Sequence, residues 1–144
     1  MMPEKENPSR KEKGQSLVEF AFGMVILVVL LAGVVDGGRA LFSYMALRDA
    51  AQEGALYGSL EPSDTAGIKQ RVLNSSDLVL DSVSTSDIAV QLIGKACTGN
   101  GIRVTVTMPD FRITTPFLGA MIGTQSIAIS ASVTDTILSP YICP

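Results

Sequence analysis

Residues 11–35 read KEKGQSLVEFAFGMVILVVLLAGVV, and the arrangement of the whole chain follows from them. A charged tail stops at Gly14, and from Leu17 to Val35 only Glu19 is charged. Those residues, if helical at about 1.5 Å each, span roughly 28 Å, the thickness of one hydrocarbon core. A cleaved secretory signal has a shorter apolar core followed by a small-residue cleavage site. Here the run ends in Asp36-Gly37-Gly38-Arg39 and helix-forming sequence resumes at once, so the run reads as a retained anchor. Lys5, Arg10, Lys11 and Lys13 precede it. The positive-inside rule therefore expects a cytoplasmic N-terminus and an extracytoplasmic chain after Val35.

The rest of the composition fits a small domain carried on that anchor. The 144 residues allow about one domain, and 47% of them are hydrophobic. Residues 1–14 hold four cations against three anions, whereas residues 15–144 hold seven against eleven. No basic patch crosses the acidic part, which argues against nucleic acid as a partner. Histidine is absent, which removes the commonest general base and the commonest zinc ligand. The two cysteines, Cys97 and Cys143, do not form a CxxC pair, and no clustered acidic loop suggests a metal site. No nucleophile–base pair is visible. The glycines at 94 and 99–101 lack the strand–loop–helix context of a phosphate loop. The expectation is a protein that is not an enzyme and carries no cofactor.

Beyond the anchor, Arg39 to Ser59 contains no proline and is rich in helix formers. Ala46, Ala50, Gly54 and Gly58 recur every four residues, with Leu47, Ala51 and Ala55 in a second row beside them. Small-residue rows let another backbone approach closely. Either the rows dock on this chain's own sheet, or they pack against another subunit. Gly33 and Gly37 add one GxxxG spacing at the outer end of the anchor, and Gly37-Gly38 is the expected site of a bend.

The remainder is expected to be β-rich. Ser63 or Asp64 is placed to cap a short helix closing near Asn74-Ser75. Asp87–Gly94, Gly101–Met108 and Ser126–Ile137 alternate apolar with polar residues, the signature of an antiparallel sheet covered on one face. Gly99-Asn100-Gly101 supplies turn chemistry between the first two strands. Between the second and third lies TTPFLGAMIG, where Thr115 suits a cap, Pro116 the first helical position and Gly123 the exit. That apolar helix either plugs the sheet edge or contacts a neighbouring subunit. The fold class expected is α+β: a long N-terminal helix packed on a small antiparallel sheet of three to four strands.

The order Gly14-Gln15-Ser16-Leu17-Val18-Glu19-Phe20 resembles the processing site of type IV prepilins, particularly the short-leader Flp type with Glu followed by an aromatic. The series GQ-x-x-VEFA at Gly14 to Ala21, D-x-G-R at Asp36 to Arg39, and AA-x-EGA at Ala50 to Ala55 is similar to the TadE-like family of pilin-like proteins from tight-adherence pilus systems. VTVTMPDFRITTPFLGAMIG and IAISASVT resemble the family's C-terminal half. The chain departs in having Gly37 where an aromatic is expected.

The resemblance implies a pilin-like fold and four regions: a cytoplasmic leader at 1–14, a transmembrane helix at 15–36, an outer Ala-rich helix at 37–60, and an extracytoplasmic β-rich domain at 61–144. It implies cleavage by a prepilin peptidase between Gly14 and Gln15. A carboxylate inside a membrane is tolerable chiefly when paired and hydrogen-bonded. Glu19 would then pair with the new Gln15 amine of a neighbouring subunit. Methylation of that amine would block cyclisation to pyroglutamate, which would erase the charge. The expected partners are other pilin-like subunits, the peptidase, the assembly platform in the membrane and the lipid bilayer. The work implied is pilus biogenesis, adhesion or biofilm formation. In an extracytoplasmic domain a disulfide is permitted, and a Cys97–Cys143 bond would staple the tail to the sheet, as C-terminal disulfides do in many type IV pilins. Two free thiols or an intermolecular bridge are the alternatives. The rival function is a membrane-anchored binding or adaptor module with an uncleaved anchor.

Overall fold

The computed structural model describes residues 9–75 and 82–138, with the backbone alone at 9–13 and 116–118. Helix α1, Ser9–Leu60, is followed by α2 at Thr65–Asn74 and a 3-10 turn at Thr85–Asp87. Strand β1 at Ile88–Ile93, β2 at Gly101–Arg112, α3 at Pro116–Ile122 and β3 at Ser126–Thr136 complete the order. This is the expected α+β arrangement, with three strands in the order β1-β2-β3, all antiparallel.

At about 1.5 Å per residue, the 52 residues of α1 make a rod of roughly 78 Å. It starts five residues ahead of Gly14, because Arg10-Lys11-Glu12-Lys13 are good helix formers. It also passes through Gly37-Gly38, the expected site of a bend, as uninterrupted helix. Glycine in a helix costs about 1 kcal/mol against alanine, a price that does not by itself interrupt the hydrogen-bond ladder.

The two halves of this helix differ sharply in surroundings. Leu17 to Leu31 is exposed throughout, whereas the outer half buries Leu47, Ala50, Ala51 and Ala55 completely. These pack with Ile68 and Val72 of α2 and with Ile102, Val104 and Val106 of β2. The small-residue row is therefore used within the chain. A Cβ at Gly54 would lie 2.5 Å from Val72 Cγ2, and one at Gly58 would lie 2.7 Å from Ile102 Cδ1. Ala46 is half-buried, and Gly37 is exposed with open space around it.

Asp64 caps α2, accepting from the Gly67 amide at 2.9 Å. Its other carboxylate oxygen accepts from the Tyr57 hydroxyl at 2.9 Å, which ties the cap back to α1.

Strand β2 outruns its expected end at Met108. Met108 pairs with Ile129 and Phe111 with Ile127, so β2 uses one residue more than β3 between those pairs. This bulge holds Pro109-Asp110, where the missing proline N–H is harmless. It also shifts the side-chain alternation by one, turning Phe111 into the core beside Met108. Sequence alternation stops at the bulge, although the strand does not.

The sheet lies along the outer half of α1, from Asp36 to Ser59. At the far end the Leu138 amide donates to the Ser59 carbonyl at 2.8 Å. At the near end the segment after β2 is bonded to Asp36. The helix between those points is about 35 Å long, and β2 runs antiparallel to it.

Candidate functional site

Two places carry polar chemistry on α1: the segment opening at Gly14, and the point where the sheet domain is fastened to the helix.

At the first, Gly14 to Phe20 is helical and exposed on every side. Gln15 and Glu19 are separated by one helical turn, about 6 Å along the axis, and so share a face. Among the described residues the one ion pair joins Arg39 to Asp36, and no described cation neutralises Glu19. Phe20 is 68% exposed, within an unbroken apolar surface that includes Phe22, Ile26 and Leu30. Charge stops, an acid follows and an apolar sleeve begins, all on one continuous helix.

At the second, Asp36 is buried at the end of the apolar run. Its Oδ1 accepts from the Thr114 amide at 3.1 Å and from the Thr114 hydroxyl at 2.6 Å, and its Oδ2 accepts from the Thr115 amide at 2.8 Å. Arg39, one turn on, reaches Asp36 Oδ1 at 3.5 Å and donates to the Thr114 hydroxyl oxygen. Its guanidinium also stands 5.4 Å from the centre of the Phe111 ring. A buried carboxylate that accepts several bonds and has a cation beside it is a satisfied group. Thr115 does occupy the cap position of α3, but its side chain makes no capping bond; Asp36 holds its amide instead.

Sequence reasoning placed Asp36 and Arg39 in a motif and Thr115 at a cap, yet did not join them. They are nearly eighty residues apart, and polar pairing at that range leaves no periodic trace. The available signal was an acid directly after the apolar run with an arginine at i+3. Gly33 is half-buried and Gly37 is exposed. Cys97 is buried in the turn between β1 and β2, while Cys143 lies outside the described residues. On α3 Met121 is 76% exposed and Ile122 55%, while the side chains of Phe117 and Leu118, on which the plug reading also rests, lie outside the described residues.

Among the described residues one helix is long and apolar enough to cross a membrane, and its most apolar window is entirely unburied. That fits a single-pass anchor.

Residues 14–56 match the family described as TadE-like protein.

The TadE-like match opens on Gly14 and takes in Glu19, the Asp36–Arg39 clasp and the Ala50–Ala55 row. The family is one of pilin-like, structural proteins associated with tight-adherence pili. The sheet domain beyond Tyr57, whose resemblance to the family was expected as well, lies outside the match. Comparison with curated proteins and with solved structures finds no match.

Proposed function

We propose that the chain is a pilin-like or pseudopilin subunit, cut by a prepilin peptidase after Gly14 and built into a tight-adherence pilus assembly. The observation that carries this reading is the unpaired Glu19, exposed five residues after the point where the TadE-like match begins. In a lipid core an isolated carboxylate is costly. Cutting after Gly14 creates an amine at Gln15, and a neighbouring subunit presenting that amine to Glu19 removes the cost. The pairing favours insertion at one axial register over loose lateral clustering of anchors. Cutting there also moves Glu19 from the interior of α1 to within about one turn of a new helix N-terminus, where a negative charge is favoured. The exposed sleeve Leu17–Leu31 then packs against lipid or neighbouring subunits, while the sheet domain stays outside. The partners are other pilin-like subunits, the peptidase and the membrane assembly platform; the outcome is pilus biogenesis, adhesion or biofilm formation.

The test is Gly14→Phe in the native host. The expected result is accumulation of uncut precursor and absence of the chain from sheared surface filaments. Normal incorporation of the uncut chain refutes the proposal and favours a tethered binding or adaptor module.

A further inference from the structure

We propose that α3 is a second, shallow membrane contact: the segment from Thr114 to Gln125 rests on the outer leaflet and inserts Met121 and Ile122 into it. This rests on the reading of 15–36 as a membrane span.

Three observations point the same way. The clasp fixes height: the amides of Thr114 and Thr115, the residues leading into α3, are bonded to Asp36 at the outer end of the apolar run. α3 therefore starts where the span leaves the hydrocarbon. Burial along α1 shows that protein reaches lower still. Ala32 and Gly33, about one turn below Asp36, are half-buried, whereas Leu30, Leu31, Val34 and Val35 are exposed. A domain held clear of the bilayer would leave Ala32 and Gly33 as open as their neighbours. Composition is the third observation. From Ile113 to Thr134 the chain carries no charged side chain, although Arg112 and Asp135 bracket that stretch. A stretch without charge reaches the hydrocarbon boundary without the cost of bringing an ionised side chain there.

The exposed side chains suit that seat. Met121 and Ile122 are among the most exposed apolar residues outside the span, and they follow each other directly. Interfacial helices bury their apolar face about 5–10 Å into the headgroup and acyl boundary, a depth these two side chains reach from a helix seated at the level of Asp36. Gly123 closes α3 at φ 81°, and the chain returns through Thr124 and Gln125 into β3. The contact therefore sits on a loop held at both ends, by Asp36 on one side and by the sheet on the other. A helix crossing the bilayer alone is free to rotate about its axis and to tilt. A second contact on one side fixes which face of the span looks toward the domain.

The chain contains no tryptophan, so each introduced one is a sole reporter. Full-length Met121→Trp and Ile122→Trp variants are reconstituted into phosphatidylcholine–phosphatidylglycerol vesicles whose acyl chains are brominated near the glycerol or near the chain end. Leu27→Trp, within the span, and Gln91→Trp, on exposed β1, serve as references. The expected result is blue-shifted emission from both α3 reporters, quenched mainly by shallow bromines, with Leu27→Trp quenched mainly by deep bromines and Gln91→Trp unquenched. Water-like, unquenched emission from both α3 reporters beside a quenched Leu27→Trp overturns the proposal and leaves the span standing. Blue-shifted but unquenched α3 reporters also overturn it, because the cover is then protein. If Leu27→Trp is itself unquenched, the span fails and the proposal falls with it.

Discussion

Replacing Gly54 by alanine separates the packing described here from a helix that merely tethers the domain. An alanine Cβ at this position stands 2.5 Å from Val72 Cγ2, 3.4 Å from Val104 Cγ1 and 3.6 Å from Ile68 Cγ2. Carbon atoms in comfortable contact are about 3.5–4.0 Å apart, so the first contact is short by about 1 Å. Valine is stiff at χ1, and Val72 is fully buried on α2, so relief requires α2 to shift from α1. Overpacking of this kind costs about 1–3 kcal/mol. Alanine returns about 1 kcal/mol as the better helix former, leaving a net loss of about 1 kcal/mol. Gly38→Ala is the contrast, because a Cβ there meets nothing within 4 Å. It keeps the whole propensity gain of about 1 kcal/mol, so the two variants differ by about 2 kcal/mol.

The assay is guanidinium unfolding of the full chain in detergent micelles, followed by circular dichroism of the sheet and extrapolated linearly. Val72→Ala removes the clashing methyl. The Gly54→Ala/Val72→Ala double variant is then expected to lose less than the sum of the singles, by about 1 kcal/mol. Gly54→Ala as stabilising as Gly38→Ala, with an additive double variant, refutes the close approach of α1 and α2.

Two more outcomes concern the exposed domain. The Asp64 carboxyl is held below its ordinary range by the Gly67 amide and then the Tyr57 hydroxyl, and Asp87 by the hydroxyl and amide of Ser84. Both folded values lie below the unfolded value of about 3.9. Their contribution is therefore complete above that value and disappears as pH falls through the lower, folded one. Stability measured from pH 6 down to pH 2 is expected to fall most steeply below about pH 4, with a shallower fall in Asp64→Asn. An unchanged profile in that variant removes Asp64 from the account. For the tail, non-reducing mass analysis of protein taken from its native envelope is expected to show Cys97 and Cys143 joined, whereas two free thiols exclude the bond.

Where local chemistry repeats, the sequence announced the structure closely. Alternation marked β1 and β3 to within a residue or so at each end, since each strand faces the core on one side and is open on the other. Thr115, Pro116 and Gly123 marked α3, and Asp64 the start of α2. The long apolar helix was legible from length and charge alone. The misses are places where one residue's behaviour depends on something distant. Pro109-Asp110 looked like a strand end because a bulge breaks alternation without breaking pairing. The binding of Asp36 by Thr114 and Thr115 had no local sign, and with it the height of α3 was hidden. Glu19 differs again: its offset from Gly14 was plain in the sequence, but the group proposed to answer it belongs to a neighbouring subunit.

The most direct test of the central claim is the mass of the N-terminal peptide of this chain in sheared surface material and in membranes. The account predicts a chain that starts at Gln15, with its amine free or methylated. A chain still carrying residues ahead of Gln15 in assembled material, or one present throughout as pyroglutamate, contradicts it.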